Sequence, residues 1–194
     1  MNKLLCAAAL GILMLSGCAS SNRLSIQPIM DAKQSPATGS AYVAGMFSWD
    51  WEPGKMGFGL DIVNTATAER YVIPFGTETT MPSAAVDYFG LIQLPPGEYR
   101  VENWLTYSSR KTELMTETGF APDSTTAQPF TLAPGEVVFI GSFVARNVQN
   151  RSANDSSPWS VRHQQLSLPA VQKALSKKYR EFATLPLACP SCLK

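Results

Sequence analysis

The chain has 194 residues, 45% of them apolar, with 16 basic and 15 acidic side chains and a formal net charge of +1. That length suits one domain with a sizeable core. A charge balance so close to neutral excludes general nucleic-acid binding.

The first predicted element is a leader. Met1-Asn2-Lys3 is a short cationic start, Leu4 to Leu15 is apolar, and small residues follow, the pattern of a secretory signal. The apolar run is too short to span a bilayer core of about 30 Å comfortably. Leu15-Ser16-Gly17-Cys18 resembles the lipobox of bacterial lipoproteins. The resemblance implies a diacylglycerol on Cys18, cleavage just before it, and an envelope location. Ala19 and Ser20 follow, with no Asp beside the cysteine, which in lipoproteins of enteric type implies release to the outer membrane, facing the periplasm. Residues 1–17 are thus expected to be a signal peptide. Residues 18–40 read as the lipidated cysteine and a flexible tether, whose length spans on the order of 25 Å root-mean-square. Ile26, Pro28, Ile29 and Met30 form the stretch of it suited to docking on the domain.

Residues 41–194 read as the domain. From Tyr42 the apolar period is two. Phe47, Trp49 and Trp51 share one side, with Ser48, Asp50 and Glu52 on the other. Such a stripe has two readings. Rigid aromatics fill a core, or Trp49 and Trp51 stack on sugar rings while Asp50, Glu52 or Asp61 bond the hydroxyls, as in a glycan- or peptidoglycan-binding face. Glu52-Pro53-Gly54-Lys55 predicts a type II turn. Phe58, Leu60 and Ile62 alternate, Asn64 to Thr67 turns the chain, and Tyr71, Ile73 and Phe75 alternate again. Pro74 donates no ladder hydrogen bond, so that strand ends there or lies at an edge.

Val86 to Leu94 and Tyr99 to Tyr107 flank Leu94-Pro95-Pro96-Gly97-Glu98 and read as a hairpin, with Tyr99, Val101, Leu105 and Tyr107 on one face. A related phrase, Leu132-Ala133-Pro134-Gly135-Glu136, precedes a run from Val137 to Ala145 that is apolar on both faces, as a covered central strand requires. Ser108 to Gln128 and Asn147 to Pro158 read as loops, and Trp159 to Leu166 as the last strand. The period then becomes helical: Val171, Leu175, Tyr179 and Phe182 form a stripe. Ser167 is placed to cap this helix and Pro169 fits its first turn. Lys173, Lys177 and Arg180 lie opposite. They belong to a basic end: residues 141–194 hold 8 basic and 2 acidic side chains, against 7 and 13 in residues 18–140. This is a solvated face, or a surface for anionic headgroups or an acidic partner.

About eight strands, one C-terminal amphipathic helix and no βαβ rhythm predict a mainly β fold, an antiparallel β-sandwich. Leu94 to Val101 resembles the strand-turn-strand of prealbumin-like and immunoglobulin-like sandwich domains. The whole is similar to small Gram-negative envelope lipoproteins.

The motifs of catalysis are absent from the sequence. One histidine, His163, stands in Val161-Arg162-His163 without a nucleophile elbow and reads as a packed or surface residue. No phosphate loop, dinucleotide fingerprint or calcium loop occurs, and no metal or other cofactor is expected. Cys189-Pro190-Ser191-Cys192 has redox spacing, but a redox pair sits at a helix N-terminus and only two residues follow here. Zinc needs about four ligands, and only His163 adds an imidazole. The expected role is therefore non-enzymatic: binding a partner or supporting an assembly. Cys189 and Cys192 are expected to be oxidised to each other after export. Mass spectrometry without reductant checks this, and two free thiols would contradict it.

Overall fold

Alternating apolar side chains fold into ten strands and one α-helix in the computed structural model, which describes residues 25–49, 56–75, 86–108, 114–120, 124–147 and 159–193. The strands are β1 (Ala41–Trp49), β2 (Met56–Asn64), β3 (Arg70–Phe75), β4 (Val86–Leu94), β5 (Gly97–Ser108), β6 (Leu114–Gly119), β7 (Phe130–Leu132), β8 (Val137–Asn147), β9 (Trp159–Gln164) and β10 (Leu187–Ala188). About eight were expected; the strands not read individually are β6, inside a stretch read as loop, the short β7 before the second Pro-Gly phrase, and β10, which follows the helix. The ten strands form two five-stranded sheets. The first runs β3-β2-β5-β6, with β7 also on β5; the second runs β4-β1-β8-β10, with β9 also on β8.

The expectation of a wholly antiparallel fold is corrected in the second sheet, where β1 pairs β8 in parallel and β10 does the same. The reason lies in the two Pro-Gly phrases. Neither closes a hairpin. The first leads from β4 in one sheet to β5 in the other, and the second leads from β7 back to β8. Pro95 and Pro96 each fix φ near −65° and donate no N–H, which suits a corner and not the positive φ values of a tight hairpin. Tyr99 Oη donates to the Pro95 carbonyl at 2.7 Å and braces the corner, the arrangement of a tyrosine corner. At the second corner Gly135 takes φ +75°, a value suited to glycine.

The expected single face for Tyr99, Val101, Leu105 and Tyr107 is also corrected. Asp61 pairs Asn103 but Ile62 pairs Val101, so β5 holds one extra residue, Glu102. A bulge of this kind reverses the facing of everything beyond it. Tyr99, Val101 and Trp104 enter the core between the sheets, whereas Leu105 and Tyr107 pack with Val72 in a separate cluster.

Side chains from both sheets share one core, including Val43, Phe47, Leu60, Ile62, Ile73, Ile92 and Phe143. Phe47 is its centre: its ring stacks near Phe58, Phe75 and Phe143 at 4.8, 5.3 and 6.5 Å. Phe75 reaches across from β3 onto Gly45 and Gly90, which face each other in β1 and β4. A methyl on Gly45 would come within 3.0 Å of the Phe75 ring, so the bare backbone there makes room for it.

The other face of β1, β4 and β8 is apolar too. Tyr42, Ala44, Phe89, Leu91, Val137 and Phe139 are covered by Val171, Leu175, Tyr179 and Phe182. The predicted stripe is therefore buried as a unit, although the α-helix itself, α1 (Leu168–Lys178), stops before its end. Tyr179 leaves helical geometry at φ −127°, ψ 69°, and Arg180–Thr184 continues as a 3-10 turn. Pro169 sits in the first turn as expected, but Ser167 makes no side-chain cap hydrogen bond. Its backbone instead bridges to Leu193.

Leu175 is fully buried. Leu175→Ala is expected to cost about 2–5 kcal/mol, read as a lower urea midpoint with an unchanged slope. No loss of stability would mean that α1 is not held by this contact.

Candidate functional site

The sequence places candidate function in an aromatic strand face, a basic helix face and a cysteine pair, and the structure treats each differently. Phe47 of the aromatic stripe belongs to the core. Trp49 ends β1 at the register position facing Val86 and Ala145. Its side chain, and the whole of Asp50, Trp51 and Glu52, lie outside the described residues, as does Cys18. Asp61, considered as a hydroxyl acceptor, is fully buried on β2. Its Oδ2 accepts from Arg70 Nε at 3.0 Å, from Arg70 Nη2, and from Asn103 Nδ2 at 3.2 Å. That oxygen already serves three donors within the fold.

Lys173, Lys177 and Arg180 are all exposed. The cation that the sequence reading passed over is Lys178. Its Nζ donates to the Phe89 carbonyl at 2.6 Å and lies 4.2 Å from the centre of the Tyr88 ring. Burial lowers its pKa below the usual 10.5. Lys178 hooks the end of α1 onto β4, an end strand of its sheet. The signal was available, since Lys178 stands three residues after Leu175, beside the apolar stripe.

Cys189 and Cys192 are joined by a disulfide. Both half-cystines are partly buried against the cluster under α1. Ser191 between them is buried and its hydroxyl reaches the Phe139 carbonyl at 3.5 Å. The bridge thus closes a local loop that seats on β8 just after β10. Among the described residues, no three His, Cys, Asp or Glu side chains come together as a metal site.

His163 is more enclosed than its strand position suggested. Its ring lies 5.5 Å from that of Phe143, and a methyl on Gly141 would come within 2.8 Å of its Nε2. Gly141 holds φ +144° where β8 carries an extra residue against β1. The buried Nε2 has no hydrogen-bond partner.

The segment before β1 also bears on the site. Part of the stretch read as tether is bound to the domain. Val72 of β3 donates to the Ser25 carbonyl and accepts from Gln27 N–H, and Met30 N–H donates to the Leu91 carbonyl of β4. A shallow cleft of about 370 Å³ opens beside this segment, lined by Gln27, Ser40, Gln93 and the Pro95-Pro96 corner.

No protein-family model matches the chain, and no curated protein does. A solved leucine-rich repeat protein from Bacteroides thetaiotaomicron is similar over 55% of this chain, at 11% identity and a TM-score of 0.38. This chain spans 12% of that protein's length.

Burial lowers the pKa of His163 below its ordinary 6.5, so the folded chain prefers the neutral ring. Its contribution to stability is complete above about pH 6.5 and is lost as pH falls toward the folded-state pKa. The melting temperature is expected to drop between pH 7 and 5, and His163→Gln to flatten that drop. Parallel profiles for the two proteins would contradict the assignment.

Proposed function

We propose that the protein is a lipid-anchored envelope lipoprotein, a non-enzymatic β-sandwich domain with a binding or assembly role in the periplasm. The observation that carries this reading is Leu15-Ser16-Gly17-Cys18 behind the apolar run from Leu4. Cys18 takes the diacylglycerol. Ala19 and Ser20 favour the outer membrane, and more than one acyl chain gives a stable hold.

The placement of the chemistry-bearing groups supports a non-catalytic role. Asp61 is engaged by Arg70 and Asn103, His163 is packed on Phe143, and the two sulfurs of Cys189 and Cys192 are bonded to each other. The alternative, a peptidoglycan-binding face, keeps Trp49, Trp51, Asp50 and Glu52 as its residues but no longer includes Asp61, which is buried and engaged by Arg70 and Asn103. Retention on purified peptidoglycan separates the two.

Cys18→Ala is expected to abolish incorporation of a fatty-acid probe such as labelled palmitate, and to leave the protein unprocessed or in the soluble fraction. Unchanged labelling in this variant would overturn the reading.

A further inference from the structure

β3 and β4 are the end strands of the two sheets and lie side by side. Their outer edges meet in a seam, and Ser25–Met30 is laid across it. The segment satisfies Val72 N–H at 3.0 Å and Val72 C=O at 2.9 Å on β3, then Leu91 C=O at 2.8 Å on β4. Between these points Ile29 packs against the core between the sheets and also against the cluster under α1. Its Cδ1 lies where a methyl on Gly90 would be only 3.3 Å away. Met30 is buried. The strap is therefore fixed to both sheets, on one side of the domain. The opposite side is formed by β6 and by β9 with β10. There Phe120, just after β6, meets Phe143 of β8 at 5.7 Å.

Seven peptide steps separate Cys18 from Ser25. Whatever path they take, their reach cannot exceed about 25 Å, at roughly 3.3–3.6 Å per residue. A random chain of seven residues spans about 15 Å root-mean-square, from 5–6 Å times the square root of its length. That is no more than the distance across the second sheet from β4 to β9, three strand spacings of about 4.8 Å, so the anchor stays closer to the seam than to the far edge. Residues 18–40 taken as one flexible linker let the domain stand clear of the headgroups, but binding of Ser25–Met30 removes that freedom.

The geometry points to a preferred orientation: the β3–β4 seam, with its strap, is the face of the domain turned to the bilayer, and its partner is the headgroup layer of the membrane that holds the Cys18 acyl chains. This rests on the lipidation of Cys18. Attraction between charges does not set the orientation. The exposed charges around the strap and the nearby end of α1 are mixed, with Lys33, Lys177 and Arg180 beside Asp31, Glu69 and Glu181. The short tether sets it, so it holds on a zwitterionic surface as well as an anionic one.

The test uses the full lipidated protein on phosphatidylcholine vesicles carrying spin-labelled headgroups. A fluorophore is placed on Lys33→Cys, just past the strap, or on Arg162→Cys, on β9 at the far edge. Three strand spacings of about 4.8 Å put the two edges about 15 Å apart, and the Lys33 label is expected to be the more strongly quenched, a Lys33-to-Arg162 quenching ratio above one. Added salt should leave that ratio unchanged. A Gly/Ser insertion of about twelve residues between Ser20 and Leu24 should bring the ratio toward one, since reach grows with chain length. Equal quenching in the lipidated protein without the insertion overturns the orientation alone. A ratio that survives the insertion overturns the tether as its cause. Absence of lipid mass on Cys18 overturns both this inference and the lipoprotein reading beneath it.

Discussion

The parallel pair of β1 and β8 governs the rest of the structure, because apolar side chains cover both of its faces. One face, with Val43, Phe47, Val138 and Phe143, closes against the other sheet. The opposite face, with Tyr42, Ala44, Val137 and Phe139, would meet water unless something covered it. Burying one large apolar side chain is worth about 1.5–3 kcal/mol, so an uncovered face of this size would not persist. The helix, the 3-10 turn and the return of the chain through β10 answer that demand. The disulfide and the bridge from Ser167 to Leu193 hold the return in place.

Edges pose a second demand, since an end strand offers unpaired backbone groups to any other strand. The fold meets it with local devices. The edge of β5 away from β2 is divided between β7 and β6, and the edge of β8 away from β1 between β10 and β9. On β4, Lys178 takes the Phe89 carbonyl and Met30 takes that of Leu91. On β3, the strap occupies both backbone groups of Val72. Asp61, Lys178 and His163 each have a partner or packing site within the fold.

Much of the fold was legible in the sequence where the period was clean. The strands around Leu60 and Ile73 follow from alternation, the one around Ile140 from a run apolar on both faces, and the helical stripe from Val171 to Phe182 from spacing. What could not be read was partnership. A Pro-Gly corner has the same chemistry whether the next strand joins its predecessor or the opposite sheet, so the hairpin at Pro95-Pro96 was misassigned. The bulge at Glu102 leaves no mark in composition, yet it sends Leu105 and Tyr107 to the other face. β6 is short and, after Leu114 and Met115, polar, so no sustained alternation marks this edge strand. The site was less legible still. Aromatic residues at strand spacing suit a core as well as a binding face, and Phe47 went to the core. Lys178 was readable as a neighbour of the stripe, but its target on β4 depends on the tertiary fold.

The pairing of β1 with β8 also bears on when the fold can be completed. Ala44 and Phe139 lie nearly a hundred residues apart in the chain, yet they are register partners at the centre of one sheet. A chain made from its N-terminus releases β1 long before β8 exists. During that interval β1 can find β4 but has no neighbour on its other side, and α1, which follows β8 in the chain, does not yet exist to cover their outer face. Contacts of such long range slow folding. The last segments synthesised are thus the ones that complete the second sheet and its cover. Such a chain reaches its native state only after β9, α1 and β10 have been made.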